Sequence, residues 1–341
     1  MGKQKRCYII AEISANHNGS LDAALEMVRI AKDAGADAVK IQTYTADTLT
    51  LDCDNEYFRI KGGTLWDGTT LYKLYQQAFT PWDWHPAIFA EAKRLGIDCF
   101  STPFDDTAVD FLEQFDPPYY KIASFELTHH PLLAKVARTG RPVIMSTGMG
   151  TLQDIEESVE VLRTNGCKDL TLLKCTSSYP APASEANLAR IPDMATRFKT
   201  HVGLSDHTMG ITVPVAAVVL GATMIEKHFC RSRKEPGPDS AFSLEPEEFA
   251  EMVRNVRIAE QAIGTVNYDR SPAEEKSIVF RRSIFVAEDM KAGDSITEKN
   301  IRVVRPGHGL HPKFYRTLLG KKVNINLTKG TPFTDEMVAK N

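Results

Sequence analysis

Eight times before residue 265, a short run of β-branched and aromatic residues ends in polar side chains and hands over to a helical pattern. The runs are CYIIAEIS, DAVKIQTY, IDCFSTPF, YYKIAS, RPVIMSTG, DLTLLKCT, THVGLSDH and TMIEKHF. The first is followed by LDAALEMVRIAKDAGA, with apolar residues three and four apart and Gly35 near its end, as in an amphipathic helix stopped by a glycine cap. EPEEFAEMVRNVRIAEQAIG closes the series. Strands this apolar are buried on both faces, and alternation with helices makes them parallel. The spacing therefore predicts an α/β fold, a (β/α)8 TIM barrel over residues 1–265. An open doubly wound sheet is the alternative, but no G-x-G-x-x-G follows the first strand.

Two segments break the rhythm. Residues 46–80 form a long excursion after the second strand containing IKGGTLWDGTTLYKLY, and loops of that length at strand ends either shape a site or decorate a surface. Beyond residue 265, DRSPAEEKSIVFRRS reads as a linker spanning 266–282. Residues 283–341 then hold SIFVAEDMKAGDSIT and KKVNINLTKGTPFT, each a strand, a lysine–glycine turn and a strand, which predicts a small β-rich domain.

Bulk properties exclude several classes of function. A net charge of −3 leaves no broad basic field for nucleic acid, so any anion site is local. The apolar stretch before Glu12 is too short for a signal-peptide core, and neither it nor the run 213–222 is long enough to span a bilayer. Six scattered cysteines without a C-x-x-C pair suit a reducing cytoplasm, each thiol acting as a small buried hydrophobe.

Active sites of such barrels lie where strands end, and here nearly every strand ends in polar groups. The first run leads to Glu12, Asn16 and His17, the second to Lys40 and Gln42, and the third to Ser101 and Thr102. The fourth supplies Lys121, Ser124 and Glu126, the fifth Ser146 and Thr147, and the sixth Thr176, Ser177, Ser178 and Tyr179. His207 and His228 end the last two, one βα unit apart, so adjacent strands would aim two imidazoles at one point. Two neutral imidazoles suit a divalent cation such as Mn²⁺, Co²⁺ or Zn²⁺, with Asp206 or Glu226 orienting them, whereas the other seven histidines read as structural. Lys40 and Lys121 lie inside apolar runs and must find an anion or lose their protons. With Thr102, Ser124, Ser146 and Ser205 they would hold phosphate and carboxylate; a salt bridge to Glu12 or Glu126, or a Schiff base on Lys121, are the alternatives. Glu12 and Glu126 are inward carboxylates able to move a proton, and spacing does not separate their roles.

The stretches AEISANHNGS (11–20), VKIQT (39–43), FSTPF (100–104), YKIASFE (120–126), STGM (146–149), CTSSYP (175–180), GLSDHT (203–208), IEKHF (225–229), GPD (237–239) and RPGHG (305–309) together resemble the sialic acid synthase family, in order and over essentially the whole chain. ISANH, IKGGTLWD, TPWDWH, KCTSSYP and GLHPKFYRTLLGKK look like its pseudaminate-making branch. The resemblance implies a TIM barrel joined to a carboxyl-terminal antifreeze-like (SAF) domain, a domain-swapped homodimer, and condensation of phosphoenolpyruvate with an open-chain amino sugar around a divalent metal. The metal would be Mn²⁺, with Co²⁺ or Mg²⁺ as alternatives, held by His207 and His228. Lys40, Thr102, Lys121, Ser124, Ser146, Ser177 and Ser205 match phosphoenolpyruvate contacts, and Gln42, Tyr179, Asp239 and Arg305 match sugar contacts, Arg305 reaching in from the partner subunit. Glu126 would handle the water proton, and Glu12 would orient sugar or metal-bound water.

One departure is informative. The sialate-making branch has Asn where this chain has Ser177, which argues against N-acetylmannosamine and for 2,4-diacetamido-2,4,6-trideoxy-L-altrose, with Trp66 or Phe125 as an apolar wall for its methyl groups. Sialic or legionaminic acid synthesis keeps the chemistry and changes the sugar. A non-catalytic sugar- or ice-binding protein would have no need of both histidines and both lysines.

Overall fold

The computed structural model describes residues 6–340 except 62, 64 and 236, so the first five residues and part of IKGGTLWD lie outside the described residues. The chain divides into two compact units, Met1–Gly264 and Thr265–Asn341.

In the first unit eight parallel strands pair in sequence order: β1 (Tyr8–Glu12), β2 (Ala38–Thr43), β3 (Asp98–Pro103), β4 (Tyr120–Ile122), β5 (Val143–Ser146), β6 (Leu170–Cys175), β7 (His201–Asp206) and β8 (Met224–His228). β8 closes on β1, with Glu12 beside His228, so the sheet is a barrel and the open doubly wound alternative is excluded. The connecting helices are α1 (Leu21–Asp33), α2 (Ala46–Leu49), α3 (Leu71–Ala78), α4 (His85–Leu95), α5 (Asp106–Glu113), α6 (His130–Arg138), α7 (Leu152–Thr164), α8 (Arg190–Phe198), α9 (Thr212–Val219) and α10 (Pro246–Ile263). Ser20, Thr70, Asp105 and Thr151 cap α1, α3, α5 and α7 by accepting backbone N–H bonds, which satisfies donors that helix geometry leaves open. The excursion after β2 is therefore partly helical, since it contains α2 and α3.

Side chains alternate across a strand, and this alternation builds two shells. Outward residues such as Ile9, Val39, Met145 and Leu172 pack beneath the helices in the main core. Inward, Ile10, Ala38, Phe100, Ile144, Leu173 and Met224 form a separate apolar plug. Two residues further along each strand, the same face carries Glu12, Lys40, Thr102, Ser146, Cys175 and Glu226. The plug thus forms the floor of a polar layer, and the parity of each strand decides what enters it.

The second unit has its own small core, including Ile284, Val286, Met290, Ile296, Ile301, Val323 and Phe333. Its regular strands are an antiparallel pair, β9 (Ser283–Val286) and β10 (Ile301–Val304). KKVNINLTKGTPFT contributes isolated bridges rather than a regular hairpin, for example Met290 with Leu327 and Phe285 with Pro332. The segment expected to be linker holds a short helix, α11 (Pro272–Ser277), because Ser271 and Glu274 form a capping box around a proline start. Another, α12 (Tyr315–Leu318), precedes the final turns. Among the described residues no helix is long and apolar enough to cross a membrane.

Gly203 on β7 marks a close approach between strands inside the barrel. A Cβ there would stand 2.3 Å from the Met224 carbonyl oxygen and 2.7 Å from Leu173 Cδ2. The backbone oxygen cannot yield without shifting β8. Gly203→Ala is expected to destabilise the barrel by about 1–3 kcal/mol, seen as a lower urea midpoint; an unchanged midpoint would mean that β7 and β8 can separate freely.

Candidate active site

The polar layer is a buried charge cluster. Lys40 Nζ is ion-paired with Glu12, donates to Thr102 Oγ1 at 3.1 Å and lies 4.0 Å from Glu226. Lys121 Nζ is 3.3 Å from Glu226 Oε1, which also accepts the Ser205 hydroxyl at 3.0 Å. Burial raises the Glu12 pKa to about 7 even with Lys40 beside it. Burial acts on Glu226 in the same sense, but Lys121 and Lys40 outweigh it and hold that carboxylate below its ordinary value. Burial lowers the pKa of Lys121.

Above this layer lie the imidazoles. The rings of His207 and His228 are 5.3 Å apart between centroids and inclined at 56°. His207 Nδ1–H donates to the Thr176 carbonyl at 2.8 Å, which makes Nε2 the nitrogen that carries the lone pair when the ring is neutral. Burial lowers the His228 pKa well below the usual histidine value, and neighbouring His207 and Lys40 add to this, so the ring is neutral. His228 Nδ1 is buried without a hydrogen-bond partner. His228 is held neutral with Nδ1 unpartnered, whereas at His207 burial is outweighed by neighbouring Cys175 and that ring's pKa is raised, so the pair fits a divalent cation once His207 gives up its proton. No group of three or more His, Cys, Asp or Glu suited to a metal occurs among the described residues, so remaining ligands would come from substrate or water.

A third cluster sits at the ends of β4, β5 and β6. Gly148 N–H donates to Ser124 Oγ at 3.1 Å, and a Cβ on Gly148 would come within 2.2 Å of Ser177 Oγ and 2.7 Å of Ser124 Oγ. The Ser146 hydroxyl is buried and has no partner. Hydroxyls packed around a bare backbone suit an oxyanion.

Beside these groups opens a cavity of about 340 Å³. Ser14, Gln42, Glu126, Tyr179, His228 and Asp239 form its polar side. Gln42 Nε2 donates to Glu12 Oε1 at 3.2 Å and to Ser14 Oγ at 3.0 Å, and Ser14 in turn donates to Asp239. Burial also lifts the Asp239 pKa. Tyr179 packs on His207 with centroids 4.3 Å apart. Trp66 and Phe125 both line the cavity, and the Trp66 indole donates to the Pro238 carbonyl at 3.0 Å.

The structure also corrects several expectations. Asp206 and Glu226 do not orient the histidines: Asp206 pairs with buried Lys227 and Thr208, Glu226 with Lys121 and Ser205. The Thr176 carbonyl takes the orienting role, and a main-chain oxygen leaves no mark in sequence. Both lysines are in salt bridges, the arrangement the sequence favoured less, and Lys121 pairs with Glu226 rather than Glu126. Several strand-end groups are structural. Asn16 bonds Phe229 O and Ser243, His17 meets Thr80, Ser101 meets Thr43, Thr147 bonds Leu173 O, and Ser178 bonds Pro180 O. Cys175 is no bland hydrophobe, because its Sγ lies 3.8 Å from His207 Nδ1 and 3.9 Å from Ser177 Oγ. Its place on the inward parity of β6 is the signal that would have found it. Arg305 follows β10 in the second unit.

Residues 27–268 match the NeuB family model and residues 281–339 the SAF domain. The chain belongs to the NeuB family. A pseudaminic acid synthase of Campylobacter jejuni is 48% identical, covering 96% of this chain and 95% of the relative. A pseudaminic acid synthase of Helicobacter pylori is 42% identical over 97% of this chain and 98% of its own. The crystal structure of the N-acetylneuraminic acid (sialic acid) synthetase of Leptospira borgpetersenii, in complex with citrate, superposes with a TM-score of 0.72 at 30% identity, covering 81% of this chain and 91% of that one.

In this NeuB-family barrel Glu126 gives a direct electrostatic test. Its Oε2 is buried without a partner, and burial raises its pKa from 4.5 to about 7, with Lys121 offsetting only part of the rise. The folded state therefore binds the proton more tightly than the unfolded chain. This contribution to stability is complete below the unfolded value and is lost as pH rises through 7. Relative to Glu126→Gln, the native protein is expected to lose about 2–3 kcal/mol of unfolding free energy between about pH 5 and 8. Parallel urea curves at the two pH values would show instead that the carboxyl is solvated.

Proposed function

We propose that this chain condenses phosphoenolpyruvate with 2,4-diacetamido-2,4,6-trideoxy-L-altrose, giving pseudaminic acid and inorganic phosphate by C–O cleavage. The observation that carries the proposal is convergence: two ammonium groups, a hydroxyl cradle and two imidazoles meet beside one sugar-sized cavity. The identities of 48% and 42% to two pseudaminic acid synthases favour that sugar.

Lys40, Thr102, Lys121, Ser124, Ser146, Ser177 and Ser205 hold the phosphate and carboxylate of phosphoenolpyruvate, and to do so the lysines exchange carboxylate partners for substrate oxygens. Gln42, Tyr179 and Asp239 fix the sugar, and Glu12 orients it. C3 of phosphoenolpyruvate attacks the aldehyde carbon, forming the new C–C bond while the aldehyde oxygen takes up a proton. Water then adds to C2, with Glu126 accepting its proton, and the bond from C2 to the phosphate oxygen breaks to leave a 2-keto acid. Near neutrality Glu126 is poised to gain or lose a proton, which suits that task. His207 and His228 would hold a divalent cation, Mn²⁺ first among candidates; bound there, it supplies Lewis-acid polarisation of the aldehyde oxygen. The same proposal includes a cytoplasmic homodimer with exchanged SAF domains, Arg305 of one subunit reaching the sugar site of the other, and rests there on the family resemblance.

Phosphate release is expected only when phosphoenolpyruvate, divalent metal and the bis-acetamido sugar are all present, with proton NMR of the product identifying pseudaminic acid. His228→Ala should lower kcat by about 100-fold or more, the loss of several kcal/mol of charge stabilisation. Faster turnover of N-acetylmannosamine or of the gluco-configured bis-acetamido sugar would overturn the substrate assignment, and full activity in chelator would overturn the metal. Gly148→Ala places a methyl group against Ser177 Oγ and Ser124 Oγ and should raise KM for phosphoenolpyruvate by about tenfold or more, with a smaller change for the sugar; an unchanged KM would remove the cradle from the phosphoenolpyruvate site.

A further inference from the structure

Helix α3 belongs to the excursion after β2, and its sequence LYKLYQQA carries apolar residues at 71, 74, 75 and 78, one stripe of an amphipathic helix. All four, Leu71, Leu74, Tyr75 and Ala78, line the cavity beside the active site. The two leucines are only partly buried, and neither joins or packs against the barrel core. An eight-residue helix is not stable alone in water and depends on what its apolar stripe meets. Here the stripe faces the cavity that His228, Glu126 and Asp239 line from the polar side. Trp66 and Phe104 line the same cavity and add to its apolar surface.

We infer that the α3 stripe, centred on Leu71 and Leu74, is the specificity wall of the sugar site and receives the C6 methyl and the acetyl methyl on N4 of the substrate. This inference rests on the sugar proposed above. The aldehyde end is claimed by the imidazoles and the carboxylates, so the far end of the sugar meets the remaining, apolar wall. A sugar with hydroxyls at C4 and C6 would strip them of water against leucine side chains that offer no hydrogen bond, whereas methyl groups gain by the same burial. Discrimination would then arise from a helix that makes no contribution to the barrel core.

The test compares native protein with Leu74→Asn and Leu71→Ser, assaying the bis-acetamido 6-deoxy sugar and N-acetylmannosamine at saturating phosphoenolpyruvate, and then varying phosphoenolpyruvate at fixed bis-acetamido sugar. For each variant kcat/KM on the bis-acetamido sugar is expected to fall about 10–200-fold, mainly through KM, with KM for phosphoenolpyruvate unchanged and the preference over N-acetylmannosamine reduced at least tenfold. Leu74→Ala, which shortens the wall without adding a polar group, should move the preference in the same direction and serves if the polar variants do not fold. Saturation-transfer NMR on native protein reads the contact directly: the C6 and acetyl methyl protons should receive the strongest transfer. A preference within threefold of native in the folded variants, or strongest transfer to the protons on C2 and C3, would overturn the inference while the proposed sugar stands. Better use of N-acetylmannosamine by native protein would overturn the proposed sugar instead, and that result comes from the native protein alone.

Discussion

Lys40, Lys121, Glu12 and Glu226 stand in one layer of the barrel interior, each at least 95% shielded from solvent. A lone charge there would be intolerable, and deleting one member of such a set costs about 3–5 kcal/mol because its partner is left uncompensated. Together they sum to zero, which lets the barrel close around them. The neutrality is conditional, however. Glu12 has its pKa raised to about 7, whereas Glu226 stays ionised between the two lysines. A proton on Glu12 leaves the layer net positive without moving a backbone atom. Such a layer can exchange internal carboxylates for the carboxylate and phosphate of a substrate, and it does so on a rigid apolar floor of Ile10, Phe100, Ile144 and Leu173.

The strand–helix alternation made the barrel legible because the strands are buried on both faces and most helices, unlike the almost uniformly apolar α9, show one stripe. The histidine pair was legible for the same reason: His207 and His228 end consecutive units, and consecutive parallel strands are neighbours in space. Which carboxylate meets which lysine was not legible, because that depends on register between strands. Glu226 lies beside Ser205 on β7 and faces Lys121 across the barrel, a relation that no one strand encodes. Parity offered more than was taken from it. Position 175 stands two residues after Leu173 of the apolar floor, as Glu12 does after Ile10, so a cysteine there enters the polar layer and meets His207. Local chemistry also hid the helix at Pro272–Ser277, since S-P-A-E carries a complete capping box inside a stretch rich in charge.

The site divides its work between parts of different energetic standing. On the proposed mechanism, groups on the strands serve stability and chemistry at once. Gly203 must lack a side chain for β7 and β8 to approach, and Lys227 is sealed against Asp206 directly between Glu226 and His228. Changes there disturb the frame and the reaction together. Outside the barrel wall the constraint is weaker, because α3 is held by its Thr70 cap, by Tyr75 against Tyr44 and by the Tyr72 hydroxyl on Asp47, and none of its residues joins the main core.

This difference explains how one barrel can serve several sugars. The reacting ends, an enol phosphate and an aldehyde, are the same whatever substituents the sugar carries farther along. Their contacts therefore sit on strands, where register holds atoms in place and substitution is costly. Substituents at the far end vary by a hydroxyl or a methyl, and one such group is worth only about 1–3 kcal/mol. A wall that must change by that amount is best carried on an element whose replacement leaves the core untouched. An inserted helix with its apolar stripe turned toward the cavity meets that condition, so the excursion after β2 can be retuned without disturbing the charges that the barrel had to neutralise in order to fold.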